Sequence, residues 1–244
     1  MITFISSSAT EVGLKRTNNE DAFLDLPQQG LFAVSDGMGG AAAGEIASKI
    51  FIETVSEFFP PSREKMGGED YETVQNVFGV SNQKIINYGS ENSDCSGMGC
   101  TADLLVFSGE RFIVGHIGDS RIYLFRKGEL LQLTRDHSFV QQQVDQGIIS
   151  PLEARSHAKR NVLLRALGTT APLSFDIMRG KSYPRDLFLL CSDGLTGMVE
   201  DPRIKSVLAS GKELPQKISH LMKLAHDGGG KDNITVILCQ VVAS

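Results

Sequence analysis

With 244 residues, the chain is long enough to bury a large core as one domain and short for two. Its 41% hydrophobic and 22% charged residues are an ordinary globular mixture. A net charge of −5 excludes an overall basic field for nucleic acid or an anionic membrane, so any phosphate-bearing substrate needs bound cations to attract it.

Residues 1–13 have neither a basic start nor a long apolar stretch, which argues against a signal peptide. No apolar run reaches the roughly 20 residues of a membrane helix. A soluble, cytoplasmic monomer is expected, with no membrane and no nucleic-acid partner. Short runs rich in β-branched and aromatic residues predict strands at 2–7, 31–35, 101–107, 112–116, 122–125, 187–191 and 234–241. Helical patterns occupy about 41–59 and 71–88, with Ile46, Ile50, Val55 and Phe58 on one face of the first. Pro60-Pro61 stops that helix, and Gly67-Gly68 reads as a loop. Ser108-Gly109-Glu110 and Lys127-Gly128-Glu129 are hairpin signals, so the three strands from 101 to 125 predict an antiparallel meander. Two further helices fall near 202–209 and 214–226.

Residues 139–168 differ from the rest: three consecutive glutamines precede Arg155, His157, Lys159, Arg160 and Arg165 among isolated apolar residues. They read as a small helical excursion on the surface, or as a solvated charged face. Cys191 and Cys239 lie inside apolar runs and read as small buried hydrophobes, and the four cysteines form no C-x-x-C pair. Strands paired in sequence with helices before and after them predict an α+β fold of sheets covered by helices.

Four aspartates stand at the ends of apolar runs: Asp36, Asp119 and Asp193 after one, Asp232 just before one. Strand ends are rigid platforms for ligands at fixed separations. Asp36-Gly37 and Asp193-Gly194 could each be a hairpin turn. Neither leads into another alternating run, however; the first opens a glycine-rich loop and the second a helical stretch at 195–199. Converging carboxylates repel unless protonated or bridged by cations, and an all-oxygen set favours Mg²⁺ or Mn²⁺ over zinc. A glycine after Asp36 lets a backbone carbonyl approach an ion. Two ions about 4 Å apart can generate a hydroxide nucleophile and neutralise a transferring phosphoryl group. Arg16, close to Glu20 and Asp21, could hold phosphate through a two-pronged contact or simply pair with Glu20. Gly37-Met38-Gly39-Gly40 lacks the later lysine of a nucleotide-binding P-loop.

Taken in order, these residues resemble the metal-dependent protein phosphatase family, the type 2C serine/threonine phosphatases. The matching pieces are Arg16 with Glu20-Asp21, Val34 to Gly40, Gly44-Glu45, Cys100-Thr101-Ala102, Gly118-Asp119-Ser120-Arg121, Asp136-His137-Ser138, Ser192-Asp193-Gly194-Leu195 and Asp232-Asn233-Ile234-Thr235. The set spans essentially the whole chain. The resemblance implies a four-layer α-β-β-α sandwich, residues 1–244 as a single domain, with metals at one end and a flap subdomain at about 139–168. By position, Asp36 would bridge two Mn²⁺ or Mg²⁺ ions and Gly37 would offer its carbonyl. Asp193 and Asp232 would complete one shell, with Asp21 or Glu20 acting through water. Asp119 would share a third ion with Asp193, and Arg16 would hold the substrate phosphate.

The resemblance further implies hydrolysis of phosphoserine and phosphothreonine in proteins by direct attack of metal-activated water. Its short stand-alone bacterial members oppose a serine/threonine kinase, including some that control secretion. Many relatives have a histidine two residues after the bridging aspartate; here Met38 stands there, leaving a metal-bound water or His137 as the acid. Two other readings remain at this stage: a catalytically silent binding module, and a hydrolase of small phosphoesters.

Overall fold

The apolar runs fold as strands and sort into two antiparallel sheets. The computed structural model describes residues 2–39, 43–61, 70–169 and 172–243. In chain order the strands are β1 (Ile2–Glu11), β2 (Asp21–Leu26), β3 (Leu31–Met38), β4 (Gly99–Cys100), β5 (Ala102–Ser108) and β6 (Arg111–Ile117). They continue with β7 (Arg121–Arg126), β8 (Glu129–Gln132), β9 (Asp176–Lys181), β10 (Leu187–Cys191) and β11 (Ile234–Ala243). The helices are α1 (Ala43–Phe58), α2 (Asp70–Glu91), α3 (Phe139–Asp145), α4 (Pro151–Ser156), α5 (Asp193–Thr196), α6 (Asp201–Ala209) and α7 (Leu214–Asp227). Gly40, Ala41, Gly67 and Gly68, which the sequence assigns to a loop, a helix start and a second loop, lie outside the described residues.

One sheet has the order β1-β11-β10-β7-β8, the other β2-β3-β5-β6-β9 with β4 paired to β3. Their inner faces meet in a layer that includes Phe32, Leu105 and Phe112 from one sheet and Phe188, Leu190 and Ile237 from the other. Phe107 and Phe188 meet edge-on across it, ring centroids 5.2 Å apart, a geometry favoured by the ring quadrupoles. Phe51 and Val55 of α1, with Phe78 and Ile85 of α2, cover the outer face of the β3-containing sheet. Ile204, Leu208 and Leu221 of α6 and α7 cover the other sheet at Leu189 and Val236. The result is helices, sheet, sheet, helices, the α+β layering the resemblance implies.

The predicted meander is overturned. β5 and β6 do form a hairpin, but β6 belongs to one sheet and β7 to the other. The chain changes sheets across Gly118-Asp119-Ser120. That corner therefore stands at the end of the sandwich and not inside a continuous sheet. The buried face of α1 also differs from the one predicted. Ala47, Phe51 and Val55 are buried, while Ile46, Ile50 and Phe58 are only partly covered, because α1 must pack on both β3 and α2.

Residues 139–168 fold as a short excursion carrying α3 and α4. Ser138 caps α3 by accepting from the Gln141 amide, and Ser150 with Glu153 forms a capping box on α4. The excursion is rooted at both ends beside the same corner: His137 N donates to Gly118 O at 2.6 Å, and Leu167 and Cys100 exchange backbone bonds.

Candidate metal centre

Antiparallel pairing brings the chemically interesting ends together. The start of β2, the ends of β3, β6 and β10, and the start of β11 share one end of the sandwich. Asp21 and Asp36 are direct partners in the β2–β3 register. Asp119 occupies the sheet-changing corner, Asp193 begins α5 behind Ser192, and Asp232 precedes β11.

Hydroxyl groups anchor these carboxylates. Asp21 Oδ2 accepts from Ser192 Oγ at 2.8 Å and from Thr235 Oγ1 at 2.6 Å. Thr235 Oγ1 lies 2.7 Å from Thr10 Oγ1, which accepts from Asn19 Nδ2 at 2.8 Å. Since Thr235 spends its proton on Asp21, Thr10 donates to Thr235, and a one-way relay runs from Asn19 to Asp21. At the other corner Asp36 N donates to Thr101 Oγ1 at 2.9 Å, and Thr101 Oγ1 pairs with Ser120 Oγ at 2.7 Å. Thr101 thus joins the Asp36 strand to the corner that carries Asp119.

The loop before β2 is pinned by Asn233. Its side chain accepts from Glu20 N at 2.8 Å and donates to the Val12 and Asn18 carbonyls at 3.0 and 2.9 Å. Its own N–H donates to Asp232 Oδ1 at 2.9 Å. Arg16 is thereby brought over the cluster, and its Nη2 pairs with Asp232 Oδ2 at 2.8 Å. The partner is Asp232, not the Glu20 that sequence proximity suggests. The Glu20 backbone carbonyl accepts from Gly37 N at 3.1 Å and from Ser48 Oγ at 2.6 Å. Its side chain accepts from the Asn18 amide at 3.5 Å and acts on Arg16 through space.

Gly37 is required for a reason besides carbonyl access. A Cβ on Gly37 would stand 2.1 Å from the Gly44 carbonyl oxygen and 2.7 Å from that of Glu20. The start of α1 is therefore packed backbone-to-backbone against the end of β3, which only two glycines allow.

Electrostatics marks the cluster as unusual. Burial first, then the neighbouring carboxylates, pushes Asp21 up to about 7 and Asp193 up to about 6. Asp36 and Asp119 keep some solvent contact at their rims but are enclosed on most sides, and burial raises both well above the ordinary carboxylate range. Asp36 feels Asp21, Asp193, Asp119 and Asp232 together. Among the described residues Asp21 Oδ1 and Asp193 Oδ1 are buried without a donor, an arrangement that costs free energy unless something cationic satisfies it. Among the described residues no set of three or more His, Cys, Asp or Glu groups forms a closed metal cage. What the chain provides is a nest of mutually repelling, partly orphaned carboxylate oxygens. Its donor chemistry, all oxygen and strongly anionic, fits Mg²⁺ or Mn²⁺.

His137 stays out of the nest. Its Nδ1 accepts from Gly118 N and its Nε2 faces Asp176, while burial, then His116, lowers its pKa to about 4. A neutral ring with both nitrogens committed cannot serve as an acid at neutral pH. Thr101, Ser120, Ser192, Thr235 and Asn233, which belong to the matching motifs but have no role assigned from sequence, are groups that hold the aspartates and their strands. Ser120, Ser192 and Asn233 each adjoin a nest aspartate in sequence, whereas Thr101 and Thr235 reach theirs only through the fold.

A family model described as protein phosphatase 2C matches residues 14–223. The chain is 38% identical over 236 residues to the serine/threonine protein phosphatase PstP of Mycobacterium tuberculosis, covering 97% of this chain and 45% of that protein. It therefore spans less than half the length of that relative. With the serine/threonine phosphatase stp of Listeria monocytogenes it shares 35% identity over 235 residues, 95% of this chain and 93% of the relative. Among solved structures, the catalytic domain of PstP in complex with two manganese ions superposes with a TM-score of 0.91 at 35% identity, covering both chains fully. PppA of Pseudomonas aeruginosa, described as a key regulatory component of the type VI secretion system, superposes with a TM-score of 0.87 at 31% identity over 99% of this chain and all of the other.

Proposed function

The chain belongs to the protein phosphatase 2C family, and on that premise we propose that it hydrolyses phosphoserine and phosphothreonine in proteins at a dinuclear Mn²⁺ or Mg²⁺ centre. The observation that carries this reading is the nest of five aspartates with two buried, donor-less oxygens beneath the Arg16 guanidinium. When bound, the ions supply a hydroxide nucleophile and neutralise charge on the phosphoryl group.

The residues divide the rest of the work. Asp36, which feels every other carboxylate of the nest, would hold the ions, helped by the Gly37 carbonyl, Asp193 and Asp232. Asp21 is held by two hydroxyls and keeps one oxygen free, suited to orienting water; Glu20 stands at the rim for the same use. Asp119, on the sheet-changing corner, would hold a third ion together with Asp193. Arg16 is about half exposed and can release Asp232 to take two oxygens of a phosphate. Neither Met38 nor His137 offers a proton, so the leaving alkoxide takes one from water at the carboxylate nest.

We read residues 1–244 as one domain, acting as a monomer, with 139–168 as its flap. Among the described residues no helix is long and apolar enough to cross a membrane, which supports work in the cytoplasm. The likeness to PstP and PppA supports a role opposing a serine/threonine kinase, including in secretion control. A catalytically silent module is disfavoured because the whole carboxylate set is present. Turnover of phosphopeptides against nucleotides and sugar phosphates, in Mn²⁺, tests the substrate class. Phosphopeptides should be hydrolysed with much the higher kcat/KM; the reverse order would make the protein a small-phosphoester hydrolase, and no turnover of either a silent module.

A further inference from the structure

Gly118 is gripped from two sides. Its φ is +115°, and a Cβ there would stand 2.5 Å from Thr101 Cγ2, so the chain turns against Thr101 in a conformation suited to glycine. On the other side a single residue takes both its polar groups. The Gly118 N–H donates to His137 Nδ1 at 3.2 Å, and the Gly118 carbonyl accepts from His137 N at 2.6 Å. The next residue along is Asp119.

The same imidazole faces the excursion. An acceptor Nδ1 leaves the ring proton on Nε2, 3.3 Å from Asp176 Oδ2 at the start of β9. Asp176 in turn lies 3.7 Å from Arg165 Nη1, and Leu164 N donates to the His137 carbonyl at 2.8 Å. The ring is also fixed from beneath. His116, buried, lies against it at a tilt of 33°, with centroids 4.8 Å apart. His116 Nδ1 is 2.7 Å from Asp103 Oδ1, and its Nε2 is 3.0 Å from the Arg135 carbonyl. Among the described residues, the contacts of His137, His116, Asp103, Asp176 and Arg165 run to one another and to backbone, and not to the aspartates of the nest.

We propose that His137 is a positioning residue with two separable duties: Nδ1 sets the Gly118–Asp119 corner, and Nε2 ties the returning end of the 139–168 excursion to β9. Any catalytic consequence rests on the phosphatase reading; the geometric duties do not. An asparagine places its carbonyl oxygen where Nδ1 stands, whereas a glutamine places its amide where Nε2 stands, so the two substitutions divide the duties.

The test uses the full chain in Mn²⁺ with His137→Asn and His137→Gln, followed by hydrogen exchange and by kcat and KM on p-nitrophenyl phosphate. His137→Asn should keep amide protection at 118–121 but speed exchange at 163–168, with kcat within about threefold of wild type. His137→Gln should keep protection at 163–168, lose it at 118–121, and lower kcat about tenfold or more at unchanged KM, the scale of a displaced catalytic corner. Identical exchange patterns in the two variants, or losses in kcat that track melting temperature alone, would overturn the proposal. Asp36→Asn is assayed alongside. No turnover by the wild-type chain would sink the phosphatase reading, and activity in Asp36→Asn would show the metal site misassigned; either outcome leaves the exchange result to judge His137 by itself.

Discussion

Asp21 and Asp36 stand directly opposite each other on neighbouring antiparallel strands. Opposed carboxylates on a sheet destabilise it, and here the two also share their surroundings with Asp119, Asp193 and Asp232. Such a pair is retained for use and not for stability.

Asp36→Asn should therefore abolish hydrolysis of p-nitrophenyl phosphate in Mn²⁺ and leave the fold intact. Removing one charge from the nest relieves repulsion, so the melting temperature in EDTA should stay level or rise. Near-normal turnover would show that the site is misassigned.

Without divalent ions, stability should depend on pH in a way set by the nest. Asp21 at about 7 and Asp193 at about 6, both raised from 3.8, bind protons more readily folded than unfolded. Their contribution is full below the unfolded value and is lost as pH rises through 6 to 7. His137 acts oppositely: lowered from 6.5 to about 4, it costs stability as pH falls through that interval. With two raised carboxylates against one lowered histidine, melting in EDTA should fall from pH 5.5 to pH 8, with Mn²⁺ restoring the loss at pH 8. A flat profile from pH 5.5 to 8 in EDTA would contradict the raised carboxylates.

Arg16→Lys should weaken product inhibition by phosphate by about 1–3 kcal/mol, because a point charge replaces a two-pronged contact. Calorimetry with inorganic phosphate reads this directly. Unchanged inhibition and KM would leave Arg16 as no more than the partner of Asp232.

Activity should vanish in EDTA and return with Mn²⁺ or Mg²⁺, while iodoacetamide should have little effect. All four cysteines are buried, and burial pushes the Cys100 thiol up to about 12, far from a reactive thiolate. Inactivation by alkylation with the fold intact would count against direct attack by water.

Asp119→Ala should bind two ions but lose most turnover, with the larger loss on phosphopeptides. Asp119 lies on the sheet-changing corner, whereas Asp36, Asp193 and Asp232 do not, so the tight pair should survive its removal. Metal titration with parallel kinetics decides this: normal turnover removes a third ion from the mechanism, and loss of both tight ions moves Asp119 into the central pair.

The central strands were legible because they are continuous apolar runs: β10 is buried at all five positions. The edge strand β9 was not, since Asp176, Arg179 and Lys181 break its alternation. There Arg179 lies over the Tyr71 ring, 3.8 Å from its centroid, and covers apolar surface with its stem. β2 is absent from the predicted strands, and Asp21 and Asp25 interrupt its apolar residues; Ser6 donates to Asp25 at 2.5 Å, a contact invisible before the sheets are assembled. The aspartates of the nest were legible from Asp-Gly corners that open no hairpin. The pairing of Arg16 with Asp232 was not, because 216 residues separate them, and neither was the reach of Asn233 back to Val12 and Asn18.

β11 lies between β1 and β10, with residues 2–11 paired to 234–243 along their whole length. On the ribosome, the early strand waits for a partner that is synthesised more than two hundred residues later. Asp232 arrives with that partner, and Asn233 only then pins the loop that carries Arg16. A nascent chain can form helices and the hairpin of β5 and β6 while still incomplete, but it cannot assemble the reactive end. Closure of so distant a contact is slow relative to local structure, so catalytic competence is confined to chains whose translation has passed residue 243.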